Sequence, residues 1–561
     1  MHGTSAGKGR KGRHGPIVRR ALMWGWLLRR KAPNQLVFWG IALVLGVAAG
    51  GAAIGFRLGI DQLARLSFGA SLQSIQWQAE HLPWHVLVGV PALGGLIVGL
   101  ILHRFTPDGR VRAVADVIEG AALRGGRVEI REGLASAAAS MLTLGMGGSS
   151  GREGPVVHLA GVLSSVIADK IRANGVTGRE LLGCAVAGAV SASFNAPLAG
   201  AIFAMEVVLR HYALHAFAPI AIASVMGTMV NRLYFGNIAE FSLPVFNRVA
   251  FYWEIPAFVI LGIVCGLVAV LLVRSVFTAE TTAAALQARL RLPRWLRPAV
   301  AGAMVGGLAC LVPQVLGTGY EVTTLALTGR LDLLAALVIL GAKVAAVAIT
   351  LGGRMGGGIF SPALVVGALT GLAFGLIATG LVPAYSGSAT TYALAGMGAV
   401  AAAVLGAPVS TSLIVFEMTG DWQIAIAVMA AVSSATAVAS RLMRRSFFLT
   451  QLARRGVRIA EGPQEYLLQL VGITHITRRS GNPGALPMIE LDALAQAGLR
   501  IDSDARLKTA LRMFERCDCP YLAVTTPAEH GGWTVIGGLS HIDALKAYNR
   551  ALAATAAEEH A

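Results

Sequence analysis

Long apolar runs limit what this chain can fold into more than any other feature of its sequence. Residues 36–56 read LVFWGIALVLGVAAGGAAIGF, and comparable runs cover residues 255–273 and 334–353. Each run is close to the ~20 residues that a helix needs to span a bilayer. Only 14% of the 561 residues are charged, against roughly 25% in soluble domains. We therefore predict an all-α polytopic membrane protein.

The apolar segments differ in length and in glycine content. We count roughly ten to fourteen of them, and several are too short or too rich in glycine to cross a bilayer as one straight helix. Interrupted backbone is tolerated at membrane depth only where it is buried in protein or lines a cavity. The pattern predicts tilted and broken helices around an internal site.

Basic residues flank the apolar block and account for most of the net charge of +17. They concentrate in residues 1–31 and 441–458, and positively charged flanks stay on the cytoplasmic side of a membrane. We expect both termini in the cytoplasm, a multi-pass location in the cell (inner) membrane, contact with membrane lipid, and no nucleic-acid partner. The expected division is a basic N-terminal arm (1–33), a transmembrane domain (34–456) and a cytoplasmic tail (457–561).

The apolar block contains an internal repeat. Val186–Val208 matches Met397–Thr419 at an offset of 211, and Thr143–Pro155 matches Thr350–Pro362 at an offset of 207. Repeats with Gly/Pro-broken helices at matching positions are typical of transport proteins, whose site lies between the halves. The sequence therefore predicts two inverted-topology halves. They cover about residues 34–240 and 254–443.

Both copies of the second match carry a glycine-rich helix start. Such a start presents unpaired backbone N–H groups at the positive end of the helix dipole, which is an anion site. If the two helix starts face each other, an anion binds there without meeting a full charge and can leave again. The predicted anion-binding residues are Gly151, Arg152, Gly154, Pro155, Gly358, Ile359, Phe360, Ser361 and Pro362.

Glu153 lies inside the first of these helix starts. Its carboxylate is itself an anion at an anion site, so the ionised form can block the site and the protonated form can leave it free. A charged residue inside a membrane is functional by default. We predict that Glu153 is a gate that responds to pH and to competing anions.

A remote alternative is an intramembrane serine protease. The stretch from Gly148 to Gly151 fits a GxSG motif around Ser150, but a serine nucleophile needs a histidine base on a neighbouring element. His158 is on the same element, and the repeat has no role in this hypothesis. We expect no enzyme activity.

The cysteines and paired histidines predict no metal site and no cofactor. The five cysteines are scattered, which indicates no disulfide framework. The CxC formed by Cys517 and Cys519, and the pair His211 and His215, lack the further ligands that a zinc site needs.

Three motifs in this order, GREGP, NAPLAG and GGGIFSP, resemble those of the CLC family of chloride channels and proton/chloride exchangers. The resemblance covers about residues 34–456. It implies chloride or a similar small anion as the substrate and a homodimer with a separate anion path in each subunit. It also implies Glu153 as the gating glutamate and the N–H groups of Ile359 and Phe360 as anion ligands.

Three positions depart from the family pattern. The serine-containing loop that binds the central anion corresponds to about Val111–Ala115, with Arg112 near the place of the serine. The inner tyrosine, a second anion ligand, corresponds to Phe448. The inner proton-relay glutamate corresponds to Val207, next to Glu206. The last two departures favour channel-like chloride transport, and a proton/chloride antiporter of the same family is the alternative.

The tail and one lysine within an apolar run are the last features that the sequence offers. Residues 499–524 and 532–548 resemble one cystathionine-β-synthase (CBS) motif, a small α/β fold that binds adenine nucleotides when paired. Lys343 interrupts an apolar run, and a lone lysine there must face a cavity or a partner. We expect it either to raise the anion potential of the pathway or to pair with Glu206 or Glu417.

Overall fold

The computed structural model describes residues 35–560 except 72–73, 213, 237–250, 384–385, 458, 460–467, 469–470, 480, 483–484 and 529–531. Within these residues, eight helices are long and apolar enough to cross a membrane, and two further apolar helices, Pro197–Leu209 and Ala389–Leu405, are shorter. The mixture of full-length and short helices confirms the predicted fold class of a polytopic helical protein with broken helices.

The first half of the apolar block is a series of helices of very unequal length. In chain order they are α1 (Gln35–Phe68), α2 (Ile75–Ala79), α3 (Trp84–Phe105), α4 (Val114–Leu123), α5 (Ile130–Gly145), α6 (Glu153–Ile171), α7 (Gly175–Phe194), α8 (Pro197–Phe203) and α9 (Leu214–Phe235). A π-helical turn, Ala204–Leu209, continues α8.

The second half is another series of helices of unequal length. Its helices are α10 (Phe251–Arg289), α11 (Arg297–Ala309), α12 (Tyr320–Leu327), α13 (Leu333–Gly352), α14 (Phe360–Leu381), α15 (Ala389–Leu405), α16 (Pro408–Thr419), α17 (Trp422–Leu442) and α18 (Phe447–Arg454). The starts of α6 and α14, and the starts of α8 and α16, keep the offsets of the sequence repeat.

The two halves meet at the paired glycine-rich helix starts. The N–H of Gly151 donates to the carbonyl of Gly358 at 2.7 Å, and the N–H of Gly358 donates back to the carbonyl of Gly151 at 2.7 Å. The bridge is antiparallel, as an inverted repeat requires. A Cβ atom on Gly151 would lie 3.0 Å from the amide nitrogen of Ser361, so the bare backbone lets the two helix starts approach.

A second symmetric contact joins α8 and α16. The carboxylate of Glu206 accepts hydrogen bonds from the N–H groups of Val409 and Ser410 at 3.0 and 2.8 Å. The carboxylate of Glu417 accepts from Leu198 and Ala199 at 2.9 and 2.8 Å. Each half thus supplies the acid that satisfies the free N–H groups at the start of the other half's helix.

The tail contains a small sheet and flanking helices. Its elements are α19 (Met488–Gln496), β1 (Arg500–Asp502), α20 (Leu507–Cys517), β2 (Tyr521–Pro527), β3 (Trp533–Ser540) and α21 (His541–His560). Strand β1 pairs parallel to β2, and β2 pairs antiparallel to β3. Phe514, Leu522, Val524 and Leu539 form a core separate from that of the membrane block.

The two cysteines of the tail form one local pair. Cys517 and Cys519 are joined by a disulfide, whereas Cys184, Cys265 and Cys310 are free. Asp518 between them has a left-handed backbone with φ 48°, and the two Cα atoms lie 5.1 Å apart, within the range that disulfides require. The pairing is therefore a local consequence of how α20 ends.

Candidate anion pathway

A cavity of about 290 Å³ lies where the starts of α4, α6 and α14 meet α10 and α18. Three stretches that the sequence singled out line it together: Glu153 and Gly154, residues 357–360, and Phe448. The fourth, the loop around Val111, also reaches its wall. Residues that are distant in the chain are thus brought to one place.

The Glu153 carboxylate is buried at one end of this cavity. One of its oxygens accepts a hydrogen bond of 2.5 Å from the Ser361 hydroxyl, and the other accepts one of 2.8 Å from the Tyr320 hydroxyl. Hydrogen bonds to an ionised acceptor are short and strong. The carboxylate therefore occupies two hydrogen-bond donors beside the start of α14.

The backbone of α14 supplies further donors beside Glu153. Within the described residues, the N–H groups of Ile359, Phe360 and Ser361 have no hydrogen-bond acceptor, as expected for the first turn of a helix. The N–H groups of Gly151 and Gly358 are used in the bridge between the halves, so these two glycines serve the close approach of the helix starts instead of donating to an anion.

Both prolines of the predicted site lie in the first helical turn. Pro155 is the third residue of α6 and Pro362 is the third residue of α14. A proline is tolerated there because the N–H that it lacks would have no partner within the helix. They fix the direction in which the remaining amides point.

Arg152 packs beside Glu153 and Tyr320. Its Nε lies 3.7 Å from a Glu153 carboxylate oxygen, and its guanidinium carbon lies 4.8 Å from the centre of the Tyr320 ring. The arginine therefore contacts the tyrosine that holds Glu153, and its charge lies close to the anion site.

Tyr320 is the site residue that sequence reasoning missed. It begins α12 and follows a turn in which Gly317 and Gly319 both have positive φ. A Gly-x-Gly-Tyr stretch at the start of a helix is the only local signal. Its partner Glu153 lies 167 positions away in the chain, so no local pattern connects the two.

Lys343 positions the turn before Tyr320. Its buried ammonium group donates to the carbonyl oxygens of Val315 and Gly317 at 2.9 and 3.0 Å. The expected pairing with Glu206 or Glu417 is wrong, because each of those carboxylates binds backbone N–H groups instead. Carbonyl oxygens of a turn that cannot pair within a helix are suitable partners for a buried cation.

The loop around Arg112 approaches the cavity with its backbone. Val111 and Ala113 line the wall, whereas the Arg112 guanidinium donates to Asp108 at 2.8 Å and to Glu129 at 3.0 Å. The side chain placed near the family's serine therefore serves an ion-pair network outside the cavity.

Aromatic rings form part of the cavity wall. Phe448 is buried, and its ring lies 5.7 Å from that of Phe447, which in turn stacks at 5.1 Å on Phe277. Phe360 packs against Phe203 with ring centres 5.8 Å apart. Phe448 thus presents a hydrocarbon edge where the family pattern has a hydroxyl.

Val207 and Glu206, at and beside the family's proton-relay position, supply no free carboxylate. Val207 is buried in the π-helical turn, and it does not line the cavity among the described residues. Glu206 faces α16 through the two amides that it accepts from.

Charged side chains other than Glu153 also line the cavity. Arg110, Arg354, Arg454 and Arg455 contribute to the wall together with one acid, Glu280. The excess of positive charge attracts an anion, because a charged cleft with low-dielectric walls raises the local concentration of counter-ions.

The described residues do not place a histidine base beside Ser150, as a serine protease would need. The Ser150 hydroxyl donates to the carbonyl of Gly356 at 3.0 Å. Both ring nitrogens of the buried His158 lack a hydrogen-bond partner in the described part of the chain, so no described histidine acts as a base for Ser150.

Comparison with known families decides the assignment. The family model described as voltage gated chloride channel matches residues 94–440. The chain belongs to the CLC family. CLC proteins transport anions across membranes, and this chain is a multi-pass membrane protein of that family.

Curated CLC relatives align along most of the chain. A relative in Ralstonia nicotianae that is named as a ClcB-like chloride channel protein is 32% identical over 421 residues, covering 74% of this chain and 96% of its own. The "H(+)/Cl(-) exchange transporter ClcA" of Klebsiella pneumoniae is 30% identical over 454 residues, covering 79% and 92%.

Solved CLC structures share the fold. A slow cyanobacterial Cl−/H+ antiporter superposes with a TM-score of 0.67 at 22% identity, covering 76% of this chain and 99% of its own. A eukaryotic CLC transporter superposes with a TM-score of 0.63 at 16% identity, covering 91% and 98%.

Proposed function

We propose that this chain carries chloride across the membrane through the cavity and that Glu153 is its gate. The observation that supports this most is the position of the Glu153 carboxylate, which accepts hydrogen bonds from Ser361 and Tyr320 beside the unpaired amides of α14. Chloride needs the same donors, so the carboxylate and the anion compete for one place. Protonation of Glu153 or rotation of its side chain frees the donors.

The chloride ligands in this proposal are neutral. They are the N–H groups of Ile359, Phe360 and Ser361, with the hydroxyls of Ser361 and Tyr320. Neutral dipoles hold an anion loosely enough for it to leave. Arg152 packs on the Tyr320 ring and raises the electrostatic potential at the site. Phe448 lines the route without donating to the anion.

We propose proton-coupled exchange as the mode of transport, in place of the passive conduction that Val207 and Phe448 favoured. Glu153 is held by two hydrogen bonds in the pathway, so opening by protonation takes a proton into the route each time. The Klebsiella relative is named as an H+/Cl− exchanger and the cyanobacterial structure as a Cl−/H+ antiporter, which supports the same mode.

The wider organisation is also a proposal. We propose a homodimer with one pathway in each subunit, a basic arm over residues 1–33, a transmembrane domain over 34–456 and a tail over 457–561. Both termini lie in the cytoplasm of a cell whose inner membrane holds the protein. The resemblance of the tail to a CBS motif makes an adenine nucleotide its candidate ligand.

Liposome transport distinguishes the candidate functions. Purified protein is reconstituted with an outward chloride gradient, and chloride efflux and external pH are recorded together. Exchange predicts that protons move against their own gradient at a fixed ratio to chloride. Chloride flux without proton movement would support passive conduction. Labelling of Ser150 by a serine-hydrolase probe, without any anion flux, would support the protease hypothesis.

A further inference from the structure

Proton-coupled exchange needs a group that delivers protons to Glu153 from the other side of the membrane. Lipid and apolar side chains cannot carry a proton, so titratable side chains, water molecules or both must form the route, and a titratable side chain on it would mark where the proton enters. Val207 has none, and the Glu206 carboxylate is occupied by two amides of α16 at 3.0 and 2.8 Å. A titratable proton donor on the route must therefore lie on another element.

Glu280 is the second carboxylate on the wall of the cavity that holds Glu153. It lies on α10 and is half-buried. Among the described residues, no hydrogen bond or ion pair reaches its carboxylate. Its side chain is therefore available to bind a proton from water in the cavity.

The backbone around Glu280 is held in place. Arg297 donates to the carbonyl oxygen of Glu280 at 2.9 Å and to that of Gly352 at 2.5 Å. One turn earlier, the Phe277 ring stacks on Phe447 of α18 at 5.1 Å. These contacts fix the position from which the Glu280 side chain faces the cavity.

The neighbouring acids are engaged in ion pairs. Asp108 pairs with Arg110 at 2.5 Å and with Arg112 at 2.8 Å. Asp116 pairs with Arg110 at 2.8 Å and with Arg455 at 3.0 Å. Protonating either acid would leave arginines without their counter-charge, so neither is a good proton carrier.

We propose that Glu280 is the inner proton station of this chain and takes the place of the missing glutamate at Val207. The proposal rests on the exchange mode argued above. The Glu280 carboxylate binds one proton from the cytoplasmic side and becomes a neutral acid. The proton then passes through water in the cavity to the Glu153 carboxylate, and Glu280 returns to its ionised form.

The cavity is large enough for this transfer. Its volume of about 290 Å³ accommodates several water molecules, since each occupies roughly 30 Å³ in the liquid. Once neutral, Glu153 holds the hydroxyls of Ser361 and Tyr320 less strongly and leaves them to chloride. The proton continues to the far side while chloride moves in the opposite direction.

Arginines share the cavity wall with Glu280 or contact its backbone. Arg110, Arg354, Arg454 and Arg455 line the same cavity, and Arg297 binds the carbonyl oxygen of Glu280. A chloride ion that binds among these arginines brings a negative charge near Glu280. A nearby like charge favours the protonated form of a carboxylate, so chloride binding and proton uptake favour each other.

The test compares Glu280→Gln with Glu280→Asp and a matched control. Glu132→Gln makes the same chemical change on an acid that is outside the cavity lining. In liposomes with a chloride gradient, wild type and Glu132→Gln should move protons uphill at the same chloride-to-proton ratio. Glu280→Gln should keep chloride flux, which also shows that it is folded, and should lose proton movement by at least about tenfold. Glu280→Asp should recover part of the coupling.

Two results would overturn the inference and are distinguishable from each other. Wild-type coupling that persists unchanged in Glu280→Gln would show that Glu280 carries no protons while the exchange mode stands. Chloride flux without uphill proton movement in the wild type would remove the exchange mode, and the role of Glu280 with it.

Discussion

Two hydroxyl groups determine how firmly Glu153 is held in the pathway. Ser361 belongs to the same glycine-rich helix start as the predicted anion ligands, and Tyr320 reaches the carboxylate from a different helix. Each bond to an ionised acceptor is worth about 1.5–3 kcal/mol. The balance between the blocked and open states therefore depends on residues that carry no charge themselves.

Tyr320→Phe removes one of these bonds and leaves the ring under Arg152. We expect the gate to open more readily, with chloride flux at neutral pH raised roughly tenfold and less dependent on acidification. The matched control is Tyr392→Phe, which removes a buried hydroxyl bonded to Ser386 at 3.2 Å, away from the cavity lining. Equal flux in wild type and Tyr320→Phe across the pH range would remove Tyr320 from the gate.

Some residues of the site were predictable from the sequence and others were not. Glu153, Ile359 and Phe360 follow from glycine-rich helix starts, because unpaired amides are a consequence of helix geometry. Tyr320 and Glu280 are not predictable in this way. Each lies among other polar residues in the chain, and its function depends on which distant element it faces.

At the scale of elements, α8 and α16 link the two halves, because the start of each helix is capped by an acid from the other half. The offset of the sequence repeat identified Glu206 and Glu417 as equivalent. It did not reveal that each acid binds the helix start of the other half, since equivalence under a repeat does not specify contact. The inverted repeat likewise implied that the segments at Gly151 and Gly358 run antiparallel. It did not imply the hydrogen bonds that join them.

Glu206→Gln should weaken a cap without changing coupling. A neutral amide accepts more weakly than a carboxylate, so the free energy of unfolding should fall by about 1–2 kcal/mol. Glu417→Gln is the matched variant at the equivalent position and should show a similar loss. Thermal unfolding in detergent measures the effect, and liposome flux should give the wild-type chloride-to-proton ratio. A ratio altered by Glu206→Gln alone would place the proton route on the π-helical turn instead of at Glu280.

Across the whole molecule, the membrane block and the tail have separate hydrophobic cores. The pathway residues all belong to the membrane block. The pattern of polar and apolar residues in the tail allowed a small α/β unit to be predicted. The disulfide at its CxC was not predictable, because it depends on the backbone conformation of a single residue.

A chain that ends at residue 458 should keep its transport activity. Its apolar core and both halves of the repeat are complete without the tail, so we expect chloride flux within about twofold of the full-length chain. Size-exclusion chromatography in detergent controls for folding and assembly. Complete loss of flux in a well-folded truncated protein would show that the tail supports the pathway.

Competition between the Glu153 carboxylate and chloride for one site underlies the whole proposed mechanism. Chloride flux in liposomes between about pH 4.5 and 7.5 tests this competition in wild type and Glu153→Gln, since the glutamine is a neutral isostere of the protonated acid. We predict wild-type flux that rises as the pH falls, and flux in Glu153→Gln that is high and nearly independent of pH. A Glu153→Gln variant with the wild-type pH profile would show that the carboxylate does not compete with chloride.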